Sequence, residues 1–74
     1  MISSQRRYIP SMAAIRSFEA AARHQSFTLA ASELNLTQSA VSRKVKEMEH
    51  IVGAQLFRRT GREVILTRAG TRLA

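Results

Sequence analysis

The sequence predicts a mainly α-helical domain in which three core helices are followed by a two-stranded β-hairpin, and three observations carry that reading. The first is the stretch from Thr37 to Val52, where Val41, Val45, Met48 and Val52 recur at four, three and four residues and so share one stripe of a helix. The second is the spacing before it. Counted from Ala31, Leu34 follows at three residues, Asn35 at four, Leu36 at five and Val41 at ten, as in two helices joined by a tight turn. The third is the change of period after Gly53. Gln55-Leu56-Phe57-Arg58 and Val64-Ile65-Leu66 are short apolar-centred runs flanking the turn-like Arg59-Thr60-Gly61-Arg62-Glu63. Together these predict a winged helix-turn-helix.

Each element has its own signal. Residues 1–10 lack periodicity, and Pro10 biases the residue before it away from helix, so they read as a flexible basic arm carrying Arg6 and Arg7. Ser11 can cap a first helix from Met12 to about Arg23, with Ile15, Phe18 and Ala22 as its inward stripe and Met12 and Ala21 beside it. His24 and Gln25 end it. A second helix spans about Leu29 to Leu34, with Thr28 or Ser26 as its cap and Phe27 turned toward the core. Asn35 tolerates the left-handed conformation of a tight turn. Ala31 lets two helices cross closely, while Leu34, Leu36 and Val41 fill the angle between them. Thr37 caps the third helix and Gly53 stops it. Thr67 caps a last helix through Ala69, Thr71 and Leu73, which Gly70 weakens. The expected division is the arm at 1–10, the winged helix-turn-helix at 11–67 and the start of a further helix at 68–74.

Charge narrows the partner. Lys+Arg number 12 against 5 Asp+Glu, a formal +7 on 74 residues, which favours a polyanion. An anionic membrane surface fits less well, because the basic residues are spread over several elements and do not line one long amphipathic helix. No apolar run approaches the roughly 20 residues of a spanning helix, and no signal-peptide core is visible, so a cytoplasmic protein is expected. The absence of cysteine excludes disulfides, thiolate zinc sites and thiol catalysis. His24, His50 and the five acids form no acid–base pair, phosphate loop or metal set, so neither an enzyme nor a bound cofactor or metal is expected. RNA binding lacks an aromatic stacking platform.

The third helix has the face that a nucleic-acid reader needs. With about a hundred degrees between residues, Ser39, Ser42, Arg43, Lys46 and His50 project away from the apolar stripe, and Gln38 sits in the exposed first turn. Arg43, Lys44 and Lys46 precede Glu47 and Glu49, so the N-terminal half attracts phosphate. Gln can pair with adenine, Arg with guanine, and Ser with base or phosphate. The competing reading is a winged-helix protein-interaction module, which is weakened by the lack of an apolar anchor on that face.

These residues resemble the N-terminal DNA-binding domain of LysR-type transcriptional regulators. The resemblance covers roughly Ile15 to Gly70. It rests on Phe18, Ser26-Phe27-Thr28, Ala30-Ala31, Leu34, the run Thr37 to Arg43, Met48-Glu49, Gly53, Leu56-Phe57-Arg58-Arg59, Leu66-Thr67 and Gly70. Two segments, Arg23 to Phe27 and Thr37 to Ser42, look most like the branch of glycine-cleavage regulators. The resemblance implies a third helix in the major groove of double-stranded DNA, read by Gln38, Ser39, Ser42 and Arg43, and a wing whose Arg62 enters the minor groove. Lys46 is assigned to phosphate. Thr37 and Arg59 complete the expected DNA-binding set, with Arg6, Arg7, Ser26 and Thr28 as secondary contacts.

The family pattern further implies that the helix after Thr67 continues as a linker pairing two subunits in a homodimer or tetramer, followed by a domain that senses a small-molecule effector. This chain would then be one part of a longer regulator. Leu29 and Ile65 stand where polar residues are common, at positions that can face solvent. Ser39 stands in place of a frequent proline. Glu49 lies near a helix C-terminus, which the helix dipole disfavours, so an ion pair with Arg58 or Arg59 is expected.

Overall fold

A computed structural model describes residues 10–60 and 63–74. The elements are α1 (Met12–His24), α2 (Phe27–Leu34), α3 (Gln38–Val52), β1 (Phe57–Thr60), β2 (Glu63–Leu66) and α4 (Arg68–Leu73). Three helices and a two-stranded wing are therefore present as predicted. The expected arm lies almost wholly outside the described residues, with Arg6 and Arg7.

Hydroxyl caps set the helix starts. Ser11, Ser26, Thr37 and Thr67 accept from the amides of Ala14, Leu29, Ala40 and Gly70 at 3.0–3.1 Å. Ser26, not Thr28, caps α2, so that helix begins two residues before the expected Leu29. Left-handed residues end the three long helices: Gln25 at φ 53°, Asn35 at φ 58° and Gly53 at φ 78°. Asn and Gly suit that conformation, whereas at Gln25 it carries a steric cost.

The core differs from the predicted stripes in instructive ways. On α1 the buried positions are Ala14, Ser17, Phe18, Ala20 and Ala21, while Met12 and Ile15 are 64% and 40% exposed. Residues 14, 17, 18 and 21 form a helical stripe one position away from the predicted one, because α1 buries its small side chains. On α3, Val41, Val45 and Met48 are buried as expected, but Val52 in the last turn is exposed. At the turn, Ala31 and Val41 are buried and Leu34 packs on the core, yet Leu36 is 42% exposed. The angle is closed by its backbone: the Leu36 amide donates to the Ala31 carbonyl at 2.9 Å.

The wing is longer than its composition suggested. The antiparallel register pairs Phe57 with Leu66, Arg58 with Ile65, Arg59 with Val64 and Thr60 with Glu63. Arg59, Thr60 and Glu63, read as turn residues, therefore belong to the strands, and only residues 61 and 62 join them. Strand alternation puts Phe57, Arg59, Val64 and Leu66 on one face and Arg58 and Ile65 on the other. Phe57 and Val64 are buried while Ile65 is exposed, so the first face meets the helices. Three aromatic rings tie the wing to them: Phe57 lies 5.6 Å from Phe18 and 5.5 Å from Phe27, edge-on to the latter at 89°.

Gly70 explains how α4 seats on the wing. Any Cβ there would lie within 3.0 Å of the Leu56 carbonyl oxygen and of Leu66 Cδ2. The glycine expected to weaken that helix is what permits this close approach. The Thr67 amide donates to the same carbonyl at 3.0 Å.

Candidate nucleic-acid interface

The exposed side of α3 faces into two neighbouring depressions. One is lined by Gln38, Ser39, Ser42, Arg43 and Arg59. The other, between α3 and β1, includes Phe27, Ser42, Lys46, Phe57 and Arg58, with Arg59 again. Gln38, Ser39, Arg43 and Lys46 are exposed and Ser42 is half-buried. Tertiary structure thus brings Arg59, distant in sequence, into the same wall as the predicted α3 residues. Arg62, expected at the wing tip, lies outside the described residues.

Arg59 is held on two sides. Its guanidinium carbon stands 4.6 Å from the centroid of the Phe27 ring, and its Nη2 donates to Ser42 Oγ at 3.2 Å. Phe27 is a core residue, as expected, and its service as a seat for Arg59 was missed. The available signal was the period-two alternation that puts Arg59 on the same side of β1 as Phe57. Thr28, in the first turn of α2, donates its hydroxyl to Gln38 Oε1 at 3.4 Å, a long bond that links two predicted site residues. Thr37 and Ser26 use their hydroxyl oxygens as helix caps.

Glu47 and Glu49 are spent inside the domain. Glu47 Oε2 accepts from the Ser11 hydroxyl at 2.9 Å and from its amide at 3.3 Å, tying the start of α1 to α3. These two bonds, with Lys44 at 3.6 Å, hold the Glu47 carboxyl below its usual range. Glu49 does not pair with Arg58 or Arg59. Its Oε2 accepts the backbone amides of Leu56 and Phe57 at 2.8 and 3.3 Å, because the turn after Gly53 carries those donors back under the end of α3.

Arg23, exposed on α1, is held by two carboxylates. It grips Glu19 at 2.8 and 3.0 Å and Glu33 at 3.0 and 2.6 Å, and His24 Nε2 meets Glu33 at 2.6 Å. The Arg23 guanidinium, and next His24, pull the Glu33 carboxyl down to about 2. Among the described residues no carboxylate pairs with Arg43, Lys46, Arg58 or Arg59.

Residues 12–71 match the model of the bacterial regulatory helix-turn-helix proteins of the lysR family. The chain belongs to that family. It is 52% identical over 62 residues to the glycine cleavage system transcriptional activator of Escherichia coli K12, a match covering 84% of this chain and 20% of the relative. This LysR-family chain thus spans about a fifth of the length of that relative. Among solved structures, it superposes on oxidized OxyR of Corynebacterium glutamicum with a TM-score of 0.84 at 36% identity, over 89% of this chain and 20% of that one. It also superposes on BenM_DBD in its catB site 1 DNA complex with a TM-score of 0.79 at 35% identity, over 85% of this chain and 70% of that one. No helix among the described residues is long and apolar enough to cross a membrane.

Proposed function

We propose that this LysR-family domain binds double-stranded DNA in a sequence-specific manner, with α3 in the major groove and the β1–β2 wing at the adjacent minor groove. The observation that carries the reading is the cluster of Gln38, Ser39, Ser42, Arg43 and Arg59 around one open depression. Hydrogen-bonding side chains and guanidinium groups gathered on one helix face are what base edges and phosphates require. The likeness to a domain solved in a DNA complex supports the same reading.

Within this proposal Gln38, Ser39, Ser42 and Arg43 read bases, and Thr37, Lys46 and Arg59 meet the backbone beside them. Arg62 enters the minor groove, a role that rests on the family resemblance. Arg6, Arg7, Ser26 and Thr28 add secondary contacts. The linker that would start at α4 pairs two subunits, and a further domain takes a small-molecule effector. Such a regulator works in the bacterial cytoplasm and performs no catalysis. Two half-sites about one helical turn apart, or a multiple of that, match such a dimer.

Selection from a random duplex library, with fluorescence-anisotropy titration at two salt concentrations, tests the reading. Salt-dependent binding with an enriched motif is expected. Salt-dependent binding without any motif would leave the fold as a mere source of charge and would refute sequence reading by this chain.

A further inference from the structure

We propose that Phe27 and Arg59 act as positioning residues for Ser42, holding its hydroxyl so that it meets DNA as a hydrogen-bond donor. The inference rests on the reading of α3 as the helix that contacts bases.

The arrangement begins with a local choice. Ser26 caps α2 and makes Phe27 the first helical residue, and the ring is 5% exposed and braced edge-on by Phe57. A ring held this way offers a fixed face. Arg59 reaches it because β1 alternates and sends residues 57 and 59 toward the helices. The guanidinium then lies 4.6 Å from the ring centroid and 3.2 Å from Ser42 Oγ.

The polarity of that last bond is unambiguous. A guanidinium has donors and no acceptor, so Ser42 can only accept from it. One Ser42 lone pair is taken and the hydroxyl hydrogen is directed elsewhere. A cation at the oxygen also strengthens the hydroxyl as a donor and weakens it as an acceptor. In the major groove that selects purine N7, guanine O6 or thymine O4, and disfavours the amino group that is cytosine's hydrogen-bonding group there. Ser42 and Arg59 line both depressions on the α3 face, so the bond is the wall between them.

The test is library selection with the wild-type chain and with Ser42→Ala, Ser42→Thr, Arg59→Met and Phe27→Leu, each checked by thermal melting. Arg59→Met keeps an apolar stem over the ring and removes the donor. Ser42→Ala should flatten one base position, where the wild type disfavours cytosine several-fold. Arg59→Met should relax the same position, Ser42→Thr should retain it, and Phe27→Leu should reproduce Arg59→Met. Arg59 is exposed, so Arg59→Met should fold and keeps the question open to refutation if Phe27→Leu does not.

In the free chain, NMR should show the Arg59 side-chain protons shifted upfield by the Phe27 ring. If Arg59→Met weakens all sequences equally and leaves every base preference intact, or if no ring shift is seen, the positioning role is overturned while DNA reading stands. A wild-type selection without a motif overturns both.

Discussion

Glu49 accepts the Leu56 amide at 2.8 Å, so a side chain from the last turn of α3 closes a backbone turn that leads into the wing. The Phe57 amide shares the same oxygen at 3.3 Å. A carboxylate receiving two backbone donors at a partly buried position is a structural group, and its loss leaves both amides unpaired. Glu49→Ala should cost about 1.5–3 kcal/mol, read as a drop in urea midpoint. Glu49→Gln, whose amide oxygen can still accept, should cost less. Equal stability of Glu49→Ala and wild type would remove this bond from the account of the fold.

Gly70 should tolerate no side chain. A methyl group there meets the Leu56 carbonyl, which the Thr67 amide also uses. Gly70→Ala should cost more than the helix propensity gained, with a net loss on the scale of overpacking, about 1–3 kcal/mol. A thermal melt decides it, and a raised melting temperature would show that α4 slides freely off the wing.

Ser17 is fully buried on α1, and its hydroxyl has no hydrogen-bond partner among the described residues. Burying a hydroxyl unpaired costs about 1–3 kcal/mol. Ser17→Ala keeps the small volume that lets α1 pack closely and removes the hydroxyl, so it should raise the melting temperature. A lower melting temperature would mean that the hydroxyl contributes a bond in solution.

Acid should loosen the joint between α1 and α2. The Glu33 carboxyl falls from its ordinary 4.5 to about 2 in the folded chain, chiefly through Arg23 and then His24. A carboxyl whose folded value is depressed contributes stability that is present above its unfolded value and lost as pH falls through the folded one. Stability from this site should therefore be intact above about pH 4.5 and disappear toward pH 2. Glu33→Gln should flatten the melting-temperature profile across that window. High salt should do so partially, since the cluster is solvent-exposed.

Arg43 and Lys46 should separate reading from docking. Arg43→Ala should lower affinity for the selected motif by about 1–3 kcal/mol and relax one base position, while Lys46→Ala should weaken all sequences alike and reduce the salt slope. Titrations on motif and random duplexes at two salt concentrations check both. Equal losses on the two duplexes for both variants would abolish the distinction.

How far each level of structure was legible depends on the range over which its causes act. The caps at Ser11, Thr37 and Thr67, the left-handed Asn35, the stop at Gly53 and the apolar positions Val41, Val45 and Met48 were readable from the chain, because caps and periodicity act within a turn or two. The polar α3 face followed from the same period. Its assignment to base reading drew on the family resemblance as well as on side-chain chemistry.

Other features needed the third dimension. Which stripe of α1 is buried depends on how closely it can pack within the core, and that favoured Ala14 and Ser17 over Met12 and Ile15. Glu49 found amides where an arginine was expected, since strand direction carried Arg59 away to Ser42 and Phe27. The amino-acid sequence by itself determined the elements, their order and the chemistry of the exposed helix face, all properties of short-range backbone preference and side-chain type. Only tertiary packing decided that Glu47 meets Ser11, that Glu49 meets the Leu56 amide and that Arg59 stands on the Phe27 ring. Those partners are brought together across 7 to 36 residues of chain, and no local preference encodes such a meeting.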